Sequence, residues 1–438
     1  MAAGVVILAA SFCANAQLYV NSQTGNNGNE GSKSAPLKNI QKAIDMASDN
    51  ASIYVAEGNY YGTLNKGKIN VTKPVKIYGG YSSDFSQRDV LKYLTMVQPT
   101  PEANGTTDAL GGTIQIKVNT PNSTVVIDGL IFDRGNSISY NAKGEGKPEG
   151  VASPMMNPIG TGGVGGAELK TTNVLTKQTS LIYFDNCRCD VTIQNCAFIN
   201  SPNYGIRGMF GGKKAVINNN IFINIVMAAC EISGGGIAKE TKEVHFTNNT
   251  VLFMWSRTRD LGDMGYGYRC MTGNINHYIS NNIIGLTLFS GIDHSRSESD
   301  KAVEAARITT AENNVFFLNK QGDLLIPGGG MGMRVDAGDF ADVDRLKKSG
   351  GNKSLTDPKV FKGVINEPYL NGFLSASYKE TATSDPNSQA NQFRKAMGMN
   401  QTGTIQSSVS MYANRYPWKE ALKFFGAMNG CGAQKIKN

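Results

Sequence analysis

The chain has 438 residues, with 40% hydrophobic and 18% charged side chains, which excludes a disordered polyelectrolyte and supplies material for a large core. Fifty glycines without a Gly-X-Y period exclude collagen and point to many tight turns, as in an all-β chain. The formal charge of +8 has no basic run behind it, so nucleic-acid recognition is not indicated, although an anionic partner is favoured.

Gly4 to Ala14 is an uncharged apolar run that ends in Ala14-Asn15-Ala16 before Gln17. That pattern is a secretory leader, residues 1–16, cleaved after Ala16, and it predicts a protein secreted or held at a cell surface or in a periplasm. Acylation of Cys13 is disfavoured because Phe12 precedes it. No stretch is long enough to span a bilayer. The six later cysteines, Cys187, Cys189, Cys196, Cys230, Cys270 and Cys431, would be permitted to form disulfides after export, and their spacing fits no zinc site.

Ile40, Ala43, Ile44 and Ala47 recur at helical spacing, predicting an amphipathic helix over 37–48 that covers an open sheet edge. From residue 125 a repeat takes over. Val125–Phe132, Val191–Phe198, Val216–Phe222, Val244–Val251, Tyr278–Ile284 and Ala311–Phe316 each place polar residues between two short runs of β-formers. Asn195, Asn219, Asn248, Asn281 and Asn313 follow one another at steps of 24, 29, 33 and 32 residues. Such periods mark a solenoid with one coil per repeat. Asparagine tolerates the left-handed turn conformation, and its amide can bond the coil above, so these five are expected to form a ladder at a spacing of ~4.8 Å.

Leu18-Tyr19-Val20-Asn21, Ala35-Pro36-Leu37 through Ile44, Ile53-Tyr54-Val55-Ala56-Glu57-Gly58 and Val75–Tyr81 resemble the opening of parallel β-helix proteins of the pectin-lyase-like superfamily. Asp357-Pro358-Lys359-Val360-Phe361 continues the match, and the chain diverges from Asn366 on. The resemblance implies an all-β, right-handed parallel β-helix of about nine coils over 17–361, followed by an irregular C-terminal strap, 362–438. A short helix at 418–426 is expected to close the far end. The resemblance implies no single activity, because the superfamily holds lyases, hydrolases, esterases and inert surface proteins.

Several motifs lead nowhere. Gly62 to Lys68 imitates a phosphate loop, yet Ile69 stands where magnesium needs a hydroxyl. Gly160 to Gly165 matches a dinucleotide fingerprint without a strand before it or a helix after it. Asp336, Asp339, Asp342 and Asp344 lack the spacing of an EF-hand and read as a solvated face.

In the resembled fold, the third strand of each coil lines the usual binding cleft. Counting on from the ladder, those strands begin near Ile182, Ile206, Cys230, Tyr268 and Ile292, and alternation turns the next residue outward. The outward column is Tyr183, Arg207, Glu231, Arg269 and Asp293. The insertions 133–180 and 253–265 enter on the same side, where a solenoid often binds.

A ladder of surface salt bridges would explain that column without a ligand. The functional reading is an acidic polysaccharide, with arginines on its carboxylates or sulfates and Tyr183, Tyr204, Trp255, Tyr266 and Tyr268 stacking on sugar faces. Arg257, Arg259 and His294 are further candidates from the loops, with Asp260 and Asp263. Were the protein a lyase, Arg207 or Arg269 would act as base or charge neutraliser, with Glu231 and Asp293 as calcium ligands. A hydrolase would use Glu231 and Asp293 as its carboxylate pair. Without a recognisable hydrolase triad or lyase motif, binding without turnover is the first expectation; a lyase and a purely structural surface protein are the alternatives.

Overall fold

The computed structural model describes residues 15–61, 68–98, 113–133, 180–201, 204–255, 265–330, 332–378, 385–399 and 415–436. The leader apart from its last two residues, most of both long insertions, and Arg257, Arg259, Asp260 and Asp263 lie outside them.

The described strands form three nine-stranded sheets, and each complete coil between the two ends gives one strand to each sheet. The first sheet runs from Asn15–Val20 through Thr124–Asp128, Asp190–Gln194, Lys214–Asn218 and Lys242–Thr247 to Thr309–Glu312. The second includes Ala197–Ser201, Ile221–Val226, Thr250–Trp255 and Ile283–Thr287, and the third Ile182–Cys187, Ile206–Phe210, Ala228–Gly234, Tyr266–Cys270 and Ile292–Asp293. Paired strands within the coils are parallel, as Asp190–Gln194 is with both of its neighbours. The last strand of the third sheet, Met333–Val335, returns antiparallel. This is a parallel β-helix, the fold that the resemblance implies.

Strict register stacks like on like inside. Ile127, Ile193 and Ile217 follow one another in the first sheet, and Phe132, Phe198 and Phe222 in the second. The phenyl rings lie nearly parallel, with centroids 5.0 and 4.6 Å apart. All six residues are sealed from solvent. Burying each such side chain contributes about 1.5–3 kcal/mol, which is what offsets the ordering of so long a chain.

The turn between the first and second sheets explains the asparagine pairs. Asn195, Asn219, Asn248, Asn281 and Asn313 all adopt positive φ, between 52° and 56°. The continuous ladder runs one residue further on, correcting the expectation from the sequence. Asn220, Asn249, Asn282, Asn314 and Asn352 each accept from the backbone N–H and, from Asn249 on, the side-chain amide of the preceding coil, at 2.8 to 3.2 Å. Within the expected five-residue column, Asn219 Nδ2 donates to Asn195 Oδ1 at 2.8 Å. The left-handed turn takes up the first asparagine of each pair, and the inward-turned second one makes the ladder.

A helix forms at Ile40–Met46, shorter than 37–48 because Ala47 opens the next strand. Its Ile40, Ala43 and Ile44 join the interior cluster at the first coil. The opposite end is closed by a 3-10 turn, Ala337–Asp342, whose Phe340 ring sits 5.4 Å from that of Phe316. Residues 418–426, expected to cap that end, lie elsewhere. They belong with Phe361, Phe373, Phe393 and Ala433 to a second apolar cluster on the outside of the second sheet. The cause is local. Ile199, Ile223, Leu252 and Phe317 point away from the interior, so this face is apolar on both sides and needs a cover. Tyr416 fastens the strap through two hydrogen bonds to Asn200, and Ala433 donates to Thr250 Oγ1 at 2.9 Å.

The six described cysteines are buried free thiols, so the disulfides that export would permit are not formed among them. No described helix is long and apolar enough to cross a membrane.

Candidate glycan-facing column

The third sheet sets the column by register alone. Tyr183 pairs with Arg207, Arg207 with Glu231, Glu231 with Arg269, and Arg269 with Asp293. The inward partners Ile182, Ile206, Cys230, Tyr268 and Ile292 form the matching column one residue earlier. The outward column extends beyond the five expected residues: Gln115 precedes Tyr183, and Asn70 precedes Gln115. Their strands, Ile69–Val71 and Ile114–Ile116, have three residues each, too short for alternation to show.

The four charged members form one chain. Arg207 Nε lies 3.2 Å from Glu231 Oε1. The other oxygen of Glu231 accepts from Arg269, whose Nε donates to Asp293 Oδ2 at 3.0 Å. Asp293 Oδ1 is held by the backbone N–H of Ser295 at 3.0 Å and by its hydroxyl at 2.5 Å. The chain is electrically balanced, with two cations and two anions. Burial alone would push the pKa of Arg269 down, but Glu231 and Asp293 on either side more than offset it and raise it above the ordinary guanidinium value.

Glu231, Arg269 and Asp293 are buried, whereas the Arg207 side chain keeps 31% of its surface and Tyr183 is half-buried. A solvent-facing column was expected; of its five expected members, Tyr183 and Arg207 are the two that keep part of their surface in solvent. This arrangement corrects three roles. A guanidinium held charged between two carboxylates cannot serve as a base, so of the two lyase roles expected for Arg269 only charge neutralisation is left. The same guanidinium occupies the space between Glu231 and Asp293, where a calcium ion or a scissile glycosidic bond would have to sit. Among the described residues no three His, Cys, Asp or Glu side chains gather around a common point, and Asp336, Asp339, Asp342 and Asp344 are each exposed.

The aromatic candidates separate by position. Tyr204 lies beneath the Arg207 guanidinium at 4.5 Å, and Tyr266 beneath that of Arg269 at 4.4 Å. Both rings are buried and serve as cation–π platforms, not as free sugar-stacking faces. Tyr268 points into the interior, where its hydroxyl bonds His277 Nδ1 at 2.8 Å. Trp255 is covered by the strap, its indole N–H shared between Asn224 Oδ1 at 2.7 Å and the Tyr369 hydroxyl at 3.0 Å. His294 is buried, and burial first, then Arg307 and Arg345, hold its pKa well below the usual imidazole range. Trp255, Tyr268 and His294 therefore offer no face to a polymer outside.

No protein-family model and no curated protein matches the chain. Among solved structures it is similar to a GH136 lacto-N-biosidase from Eubacterium ramulus, at 10% identity and a TM-score of 0.36 over 77% of this chain. The match spans 55% of the biosidase's own length. A pectin methylesterase from Aspergillus niger is similar at 11% identity and a TM-score of 0.27, over 84% of this chain and 95% of that one. The enzymatically active domain of a bacteriophage CBA120 tailspike is similar at 14% identity and a TM-score of 0.26, over 72% of this chain and 43% of that one. The β-helix itself rests on the strand pairing.

Proposed function

We propose that this parallel β-helix protein is exported and binds an acidic polysaccharide on the outer face of its third sheet, entered at Tyr183 and Arg207, without cleaving it. The observation that carries the reading is the state of Arg207. Its guanidinium is fixed on two sides, by Glu231 at 3.2 Å and by the Tyr204 ring at 4.5 Å, and has no other partner among the described residues. A cation ordered before the ligand arrives loses little entropy on binding, and its remaining N–H groups match a carboxylate or sulfate. The excess of positive charge over the whole chain favours the same partner. Turnover is not supported, because Glu231 and Asp293 are both engaged by Arg269.

Polygalacturonate and alginate are suitable probes for calorimetric titration. Wild type is expected to bind one of them, and Arg207→Ala to weaken it about tenfold, the ~1.4 kcal/mol lower end of a charge-assisted hydrogen bond. Unchanged affinity in Arg207→Ala removes this face as the site. Accumulation of an unsaturated uronate in the ultraviolet would replace binding by lysis. The burial of Glu231, Arg269 and Asp293 favours the second reading, a structural ladder, which stands if neither probe binds.

A further inference from the structure

The last coil and the strap leave a space unfilled. Between the turn at 318–323, the returning strand Met333–Val335 and the strap helix Gln389–Met397 lies a cavity of 610 Å³. Ligand pockets span roughly 300–1,000 Å³, so this one is of the size that holds a small molecule or the end of a chain.

Its walls are fixed without a ligand. Phe317 and Phe393 line it with rings 2° from parallel and 5.4 Å apart, tying the coil to the strap. Asn319 Nδ2 donates to Asp323 Oδ1 at 2.9 Å and to the Ile284 carbonyl at 3.0 Å, while its own oxygen accepts from Thr287 Oγ1 at 2.9 Å. Asp323 Oδ2 accepts from the Ala337 N–H at 3.0 Å. Asp323 is itself buried, and that burial pushes its carboxyl up to about 6.

Two lining groups remain unused. Arg334 is exposed, with no ion pair among the described residues, and the exposed carboxylate of Asp336 accepts no hydrogen bond at the turn it begins. Arg334 also has a place in the column. Asp293 pairs with Leu325, and Leu325 with Arg334, so Arg334 stands about two strand spacings, ~10 Å, beyond the last charged member. A free guanidinium and a free carboxylate beside a cavity of this size suit a sugar that carries a carboxylate. The guanidinium takes the carboxylate, and Asp336 accepts from ring hydroxyls.

We infer that this cavity is a second saccharide site, which binds the terminal residue of a uronate-containing chain. The inference rests on the acidic-glycan reading above. Two probes separate them: digalacturonate, which is all chain end, and polygalacturonate, which is nearly all interior. Arg334→Ala, at an exposed position, is expected to weaken digalacturonate about fivefold or more and to change polygalacturonate less than about twofold. Arg207→Ala is expected to do the reverse. Digalacturonate binding that survives Arg334→Ala, or that wild type never shows, overturns the cavity site even if the polymer still depends on Arg207. Loss in Arg334→Ala with no effect of Arg207→Ala keeps the cavity and removes the third-sheet face.

Discussion

Arg269 donates from Nε to Oδ2 of Asp293 at 3.0 Å, on the outside of a solenoid, with the two side chains only 5% and 2% exposed. Outer faces of solenoids are ordinarily wet, and a charge taken out of water costs several kcal/mol unless its partners meet it in good geometry. Here the guanidinium has a carboxylate on each side. Its removal strands both.

Arg269→Met is therefore expected to lower stability by about 3–5 kcal/mol, as for other buried pairs that lose one member. Arg207→Ala should cost less than ~1 kcal/mol, since that pair is partly solvated. Urea unfolding of the two variants checks this contrast. Equal midpoints would mean that water reaches Arg269 and the ladder is not sealed.

The asparagine pairs divide two tasks between neighbouring residues. Asn282 is buried; its oxygen accepts from the Asn249 backbone at 2.8 Å, and its Nδ2 donates to the Phe246 carbonyl and to Asn314, each at 2.9 Å. Asn282→Leu orphans these groups, each costing roughly 1–3 kcal/mol, and should destabilise by about 3 kcal/mol or more. Asn281, at φ 56°, is there for its backbone. Asn281→Gly should change stability by less than ~1 kcal/mol, because glycine adopts that conformation freely. Thermal melts of the two variants decide it, and a larger loss for Asn281→Gly would place the ladder on the first asparagine after all.

The coil was legible in the sequence because the strand period is two. Once Asn195 and Asn219 mark equivalent turns, counting the same twelve residues on from each pairs Arg207 with Glu231. The same parity makes Tyr268 an inward residue, one before Arg269, whatever its chemistry suggests. The apolar outer face of the second sheet was also written in Ile199, Ile223 and Leu252, and it demands a cover. What parity cannot supply is the cover's path. The burial of Glu231 and of Trp255 depends on segments remote in sequence, as Tyr369 meeting Trp255 shows. The asparagine ladder was misplaced by one residue because both members of an Asn-Asn pair suit a turn. Only the sign of φ tells them apart.

Two buried groups should give stability a pH dependence of opposite sign. His277 accepts from the Tyr268 hydroxyl at Nδ1 and faces the Met271 carbonyl with Nε2 at 2.9 Å, so the neutral tautomer fits its site. Burial first, and Arg307 second, lower its pKa to about 3. Between about 6.5 and 3 the unfolded chain holds a proton that the native chain does not, so acidification through that window destabilises the fold. Asp323, raised to about 6 by burial, works the other way. Between about 6 and 4 the native chain holds a proton that the unfolded chain lacks, so its stabilising contribution is complete below about 4 and is lost as pH rises through 6. Two pH units are worth about 3 kcal/mol. Asp323→Asn removes that compensation and should steepen the loss of stability from pH 6 to pH 4 by up to about this amount, whereas His277→Gln should flatten it. Chemical denaturation at both pH values measures each slope. Parallel slopes for Asp323→Asn and wild type would show that the Asp323 carboxyl titrates in water, and that the cavity wall at the end of the solenoid is open to solvent.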